Sequence, residues 1–252
     1  MEIYFILTFI IIVALWLYYS YLHIIILSNT QLKNLLIDDD DNYYSTFEIK
    51  DFEVRNVRNI KEYKEKIKNM NCNIDEVTQQ KLINSIYLAN DKLKKMKQKY
   101  NKYNEINIQQ LINIKWVIGV TCDKIYENDI PHTRKHVIIF SKEQINNSTY
   151  DDLANTLIHE KVHIYQKIYK EDVQNFIKNN NYKIYKKNTH FDNIRANPDT
   201  DNYVYMKNKI FKASYIPFAK TMNDVLIPNN DFKNEHPMEL MAIQFEDKCK
   251  NL

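Results

Sequence analysis

The chain has one glycine in 252 residues, five prolines and three cysteines. Cys72, Cys122 and Cys249 are an odd and sparse set, which argues against a disulfide framework and agrees with a reducing compartment. No sign of charge dominates: 35 Lys and Arg face 32 Asp and Glu, for a formal net charge of +3. The lysines are spread along the chain without an aromatic-interleaved basic patch, so no polyanionic partner is implied and no nucleic acid is expected. Scarce glycine beside abundant Asn, Ile, Lys and Tyr looks like coding from an A/T-rich genome, as in large DNA viruses and some protists. A viral source is thus an expectation from composition alone. The same Asn-rich habit yields the two overlapping glycosylation sequons of Asn146-Asn147-Ser148-Thr149 by accident.

What is present first is an apolar start. Residues 3–27 contain no Asp, Glu, Lys or Arg and are long enough to span a bilayer. A cleavable signal peptide has a basic start and a shorter apolar core, whereas this chain opens Met1-Glu2 and runs on. An uncleaved single-pass membrane anchor is therefore expected. Lys33, the nearest basic residue, leans the main domain toward the cytosol, or the chain sits in a virion membrane. The acidic run Asp38-Asp39-Asp40-Asp41 reads as part of a solvated linker. The expected organisation is a transmembrane anchor over 1–28, an acidic linker over 29–42, and one domain over 43–252 with a helical N-terminal lobe (43–114) and a catalytic lobe (115–252). Roughly 210 residues beyond the linker suffice for a sizeable core.

In the helical lobe, Asn73-Ile74-Asp75-Glu76 gives a capping-box start. Leu82, Ile86, Ala89, Leu93, Met96, Tyr100 and Tyr103 follow at alternating steps of four and three, a heptad seam. It serves either to pack a helix across the catalytic lobe or to pair two chains as a coiled coil.

The chemistry lies in Thr156-Leu157-Ile158-His159-Glu160-Lys161-Val162-His163-Ile164-Tyr165, which carries HExxH. Residues four apart on an α-helix sit one above the other, so His159 and His163 can offer their imidazoles to one tetrahedral zinc ion. Glu160 then stands beside the metal, where a carboxylate takes a proton from water whose pKa the metal lowers to about 7. Ser148-Thr149-Tyr150-Asp151 opens the helix as a variant capping box, with Asp152 in the first turn, and Leu153, Leu157, Ile164 and Ile168 recur at helical spacing. Lys161 departs from the otherwise uncharged or apolar flanks and is expected to snorkel outward.

A zinc site needs a third protein ligand. Glu239 is the first candidate, because Pro237 is placed to open a helix and put Glu239 in its first turn; His236, Glu235 and Glu246 are the alternatives. This pairing of HExxH with a downstream helical Glu resembles the gluzincin type of zinc metallopeptidase. The resemblance covers two motifs. It implies His159, His163 and Glu239 as zinc ligands and Glu160 as general base for peptide-bond hydrolysis. The gap from His163 to Glu239 exceeds that of compact gluzincins, so the intervening segment must form structure of its own. Ala242 and Ile243 stand where gluzincins often carry an acidic residue that orients a ligand histidine, so that partner must come from elsewhere, with Glu246 and Asp247 as candidates.

Trp116-Val117-Ile118-Gly119-Val120 and Val137-Ile138-Ile139-Phe140 read as strands. In zincins the strand before the metal helix often forms the cleft's edge, where an extended peptide adds as another strand. Gly119, inside the first strand, marks a bulge or a close backbone approach. Ile130-Pro131-His132-Thr133-Arg134 reads as a turn, with an overhang above the cleft as its alternative. After the metal helix, Asn197-Pro198-Asp199 forms a turn into a hairpin made from Tyr203-Val204-Tyr205 and the segment at Phe211 to Ile216. His190, Arg195, Tyr205 and Tyr215 are the candidates for a donor to the oxyanion.

The expected fold class is α+β: a zincin-like metallopeptidase domain, a small mixed sheet over the HExxH helix, behind an N-terminal transmembrane helix. The expected function is that of a membrane-anchored zinc metallopeptidase, with Zn2+ as cofactor and a peptide or protein as substrate. The alternative from another class is a catalytically inactive zincin-like structural or interaction protein of a membrane or virion. A non-proteolytic zinc hydrolase is a third reading, since the motif reports activated water and not the bond attacked.

Overall fold

The computed structural model of the protein describes residues 24–188 and 193–251. In chain order these form β1 (Ile24–Ile26), α1 (Asn29–Ile37), α2 (Ile49–Val54), α3 (Ile60–Asn69) and α4 (Glu76–Lys99). The short ladder β2 (Lys102–Tyr103) and β3 (Ile106–Asn107) precedes α5 (Ile108–Asn113), followed by β4 (Trp116–Thr121), β5 (His132–Arg134), β6 (Val137–Ser141) and α6 (Lys142–Asn147). The central helix α7 (Tyr150–Ile168) runs into α8 (Lys170–Asn179), then β7 (Lys183–Lys187), β8 (Tyr203–Met206), β9 (Ile210–Phe211), β10 (Ser214–Tyr215), β11 (Val225–Leu226) and α9 (Pro237–Lys250).

The main sheet has the order β1-β4-β6-β5, with β1, β4 and β6 parallel and β5 antiparallel at the edge. Alternation along its strands divides two layers of core. Trp116, Ile118, Val120, Ile138 and Phe140 pack with the buried faces of α4, α7 and α9. Val117, Val137 and Ile139 pack with Leu32 and Leu36 of α1 and with Tyr63 and Ile67 of α3. A parallel sheet covered on both faces explains why β4 and β6 are apolar at nearly every position. Gly119 marks a close approach: a Cβ there would meet Leu32 Cδ1 at 2.5 Å and Ile139 Cδ1 at 3.0 Å.

This mixed architecture fits the α+β class, but the transmembrane helix expected in front of it is overturned. Among the described residues no helix is long and apolar enough to cross a membrane. The end of the apolar run, Ile24–Ile26, is instead a strand, with Ile24 opposite Trp116 and Ile26 opposite Ile118. A short apolar run rich in isoleucine satisfies a parallel strand as well as a lipid-facing helix, and hydropathy alone does not separate the two. Residues 1–23, the rest of the expected anchor, lie outside the described residues. The single-pass membrane localisation drawn from that anchor falls with it.

The segment 29–42 is also not a solvated linker. Ser28 caps α1 through a capping box with Gln31, and Leu32 and Leu36 are buried beneath it. The aspartates dock onto the β5–β6 hairpin: Arg134 holds Asp41 at 2.6 Å, and Lys135 holds Asp40 at 2.7 Å and Asp38 at 3.2 Å.

Asp75 caps α4 by accepting from the Thr78 N–H at 2.8 Å. Leu82, Ile86, Ala89, Leu93 and Met96 are fully buried against the rest of the core, so the heptad seam is spent inside one chain. Tyr100 already has extended backbone beyond the helix end, and Tyr103 belongs to β2. The cysteine expectation fails for one pair: Cys72 and Cys122 form a disulfide with Cα atoms 5.3 Å apart, leaving Cys249 free and buried. Spacing along the chain carried no sign of that proximity, which exists only once α3–α4 is folded over the end of β4. The long gap before Glu239 is filled by the antiparallel sheet β7-β8-β9 and the ladder β10-β11, with an isolated bridge from Ile194 to Ser214 of β10.

Candidate metal centre

Thr149, one residue later than the predicted start, caps α7 by accepting from the Asp152 N–H at 3.1 Å. Ten residues into that helix, His159 and His163 project from one face with their Nε2 atoms 3.0 Å apart. The second helix, α9, opens with Pro237 in its first turn and His236 as its cap, the His236 Nδ1 accepting from the Met238 N–H. This start aims Glu239 at the histidine pair, and its Oε2 lies 3.4 Å from each Nε2.

Each donor is held from behind. His159 Nδ1 faces Glu246 Oε2 at 3.1 Å, and His163 Nδ1 faces Gln166 Oε1 at 2.9 Å. Acceptors at both Nδ1 positions place the protons there and leave both Nε2 lone pairs turned toward each other. Gln166 also donates to the Met238 carbonyl at 2.9 Å, tying α7 to the start of α9. Asn197 Nδ2 donates to Glu239 Oε1 at 2.8 Å, so Oε2 is the oxygen left for the histidines.

Two facing lone pairs and a carboxylate oxygen call for a cation between them. Bonds of about 2.0 Å in tetrahedral geometry put ligand atoms about 3.3 Å apart, close to the separations found here, so these residues fit a zinc ion. Without a metal, the electrostatics of these groups favour a positive charge between them. Burial works against charge on all three groups, yet His163 and His159 hold the Glu239 carboxyl well below its usual range. Burial likewise opposes imidazolium at His159, but Glu239 and Glu246 outweigh it and raise the ring well above its ordinary value.

Glu160 is buried beside this triad, and its Oε2 has no hydrogen-bond partner among the described residues. Burial, then the nearby Asp199 carboxylate, push its carboxyl up to about 8. Lys161 does not snorkel. It is fully buried, donates to the Ile114 carbonyl at 2.6 Å and lies 3.8 Å from the Trp116 ring centre, and burial holds its ammonium well below the ordinary lysine range.

The alternative third ligands are engaged elsewhere. Glu235 forms a two-pronged pair with Arg195 at 2.7 Å, His236 Nε2 faces Asp201 at 3.2 Å, and Glu246 stands behind His159. Asp247 pairs with Lys233 at the surface, away from the histidines. Of the four oxyanion candidates, Tyr205 is bound to Asp201 and Tyr215 to Asp51, while His190 lies outside the described residues. Arg195 alone of the described three lines the cleft above the triad, a cavity of about 520 Å³.

Two features escaped sequence reasoning. Asp199, read only as part of a turn, forms a second group of ligand-type atoms with Glu160 and His163, all within 4.8 Å of one another. Its carboxylate accepts from the Thr133 N–H at 3.0 Å and from the Thr133 hydroxyl and Lys167. The edge strand is likewise not Val137-Ile138-Ile139-Phe140, which lies inside the sheet as β6, but β5, drawn from the residues read as a turn. At Thr133 both outward backbone groups are taken, the N–H by Asp199 and the carbonyl by Lys167 at 2.9 Å. An added peptide strand therefore has no free pairing at that residue. Lys167 and Asp199, 34 and 66 residues from Thr133, carry no local pattern that would mark them.

No protein-family profile, curated protein or solved structure matches the chain.

Proposed function

We propose that the protein is a zinc-dependent metallopeptidase of gluzincin type that hydrolyses peptide bonds. The observation that carries this reading is the convergence of His159 Nε2, His163 Nε2 and Glu239 Oε2 to within 3.0–3.4 Å, with the Glu160 carboxylate in the same cleft. A site with three protein ligands leaves one position open, as a hydrolytic site requires and a closed structural zinc site does not.

Zinc bound there supplies a water of lowered pKa and polarises the scissile carbonyl. Glu160 accepts the proton of the attacking water on its unpartnered Oε2 and delivers it to the departing amine. Glu246 and Gln166 hold the two imidazoles in the tautomer that binds metal, and Asn197 fixes which oxygen of Glu239 does so.

The test is zinc content by native mass spectrometry on the full chain and its Glu239→Ala variant, followed by cleavage of a peptide library with Glu160→Gln as control. One zinc per chain, lost or weakened in Glu239→Ala, with cleavage that Glu160→Gln abolishes, is the expected result. A folded protein that takes up no zinc when it is supplied would overturn the reading.

A further inference from the structure

Four residues that line the 520 Å³ cleft each carry a buried side-chain atom with no hydrogen-bond partner among the described residues: Asp129 Oδ1, His132 Nε2, Gln144 Oε1 and Glu160 Oε2. Glu160 is accounted for by the proton transfer above. The other three come from the wall formed by the loop before β5, by β5 itself and by α6, and none of them serves the metal or the water.

All three present acceptors. His132 is 3% exposed, and its Nδ1 lies 2.8 Å from the Ile130 carbonyl. A carbonyl only accepts, so the Nδ1 carries the proton and the neutral ring turns a lone pair outward on Nε2. Burial lowers the His132 pKa and keeps the ring neutral, although the Glu127 and Asp199 carboxylates favour the charged form. Asp129 adds a carboxylate, raised from its usual value by burial and by the neighbouring Glu143, which outweigh the charge of Lys124 and a bond from the Lys124 backbone N–H. Gln144 adds an amide oxygen.

None of the described lining residues donates to these three atoms. Arg195 is the single permanent cation among the described lining residues, and its two-pronged pair with Glu235 leaves it neutralised. Buried acceptors without donors are costly in the free protein, and a bound group rich in N–H relieves that cost. The described lining of the cleft is thus rich in acceptors and net acidic.

From this arrangement we infer that Asp129, His132 and Gln144 form a specificity site for a cationic group of the substrate, an alkylammonium or a guanidinium. The inference rests on the peptidase reading for the identity of the substrate and names its class: peptides that place a positive charge next to the bond cut. That charge comes from a Lys or Arg side chain or from the α-ammonium of the chain's own start.

The test uses the zinc-loaded full chain and two readouts. The first is kcat/KM on matched peptides carrying lysine or norleucine at each position around the cut, each with a free and an acetylated N-terminus. The second is direct binding of n-butylammonium and n-butylguanidinium by NMR titration, which needs no turnover. We expect one position at which the cation raises kcat/KM about tenfold or more over its neutral counterpart. We also expect that ratio to shrink about tenfold in Asp129→Asn and in His132→Gln. Loss of preference on acetylation assigns the site to the α-ammonium; its persistence assigns it to a side chain. A ratio near one in the native protein, or an unchanged ratio in both variants, overturns the inference while leaving the peptidase reading intact. Probe binding that Asp129→Asn removes, in a protein that cuts no peptide, supports the cation site and overturns the peptidase reading instead.

Discussion

His159 is gripped at both ring nitrogens by one helix: its Nε2 faces Glu239 and its Nδ1 faces Glu246, seven residues further along α9. Seven residues are close to two helical turns, so the two carboxylates share a face and close on the ring from either side. The gluzincin resemblance points to an acidic residue one turn after the ligand, at Ala242 or Ile243. Here the same office is filled two turns on. Replacing Glu246 with Ala is expected to weaken zinc binding by about 10–100-fold in chelator competition. Asp247→Ala, which breaks only a surface pair with Lys233, is the matched control and should leave the metal affinity as it was.

Glu160→Gln keeps the shape of the side chain and removes its basicity. Turnover of a peptide substrate is expected to fall by about 10²–10⁴-fold, while zinc content stays at the native level. A drop in both together would mean that the substitution had disturbed the triad and that Glu160 does more than move a proton.

The disulfide between Cys72 and Cys122 joins residues 50 apart in sequence. A closed loop of that length restricts the unfolded chain by about 4 kcal/mol in the chain-entropy account. Thermal or urea unfolding with and without reductant, and of the Cys72→Ser/Cys122→Ser variant, should show a loss of that order. Cys249 contributes nothing to the effect, since it is free.

Acid sensitivity follows from the buried pair of Arg55 and Glu127, whose atoms lie 2.5 Å apart, with Tyr63 donating to the same carboxylate at 2.7 Å. Burial pushes the Glu127 carboxyl up, but the guanidinium outweighs it and holds the folded value below the usual one. A folded pKa below the unfolded value contributes stability that is present above the unfolded value, about 4.3, and is lost as pH falls through the folded one. Unfolding free energy should therefore decline below about pH 4.3. Glu127→Gln should cost about 3–5 kcal/mol at neutral pH, because it leaves a buried guanidinium short of charge, and its acid decline should be shallower.

The sequence marks His159, His163 and Glu239, which the structure brings together, through signals that are local. HExxH needs only helical spacing, and Glu239 is marked by the proline two residues before it. β4 and β6 were legible for the same reason, as runs of branched residues. The rest depends on contacts between distant segments. Asp199 meets Thr133 across 66 residues, Cys72 meets Cys122 across 50, and His132 reaches the cleft only because β5 lies at the sheet edge beside α7. The apolar N-terminal run misled because one composition serves two environments. A half-buried edge strand and immersion in lipid both accept a run of isoleucine, and only the pairing of Ile24–Ile26 with β4 tells them apart.

That pairing also fixes how far the protein can be shortened. A truncation that begins at Asp41 looks harmless from hydropathy, yet it removes β1 together with the helix that shields Gly119. The apolar edge of β4 would then be left unpaired in water, a template for pairing with a second molecule. Preparations cut there should form aggregates, whereas a chain that keeps Ile24–Ile26 retains the strand that pairs with β4.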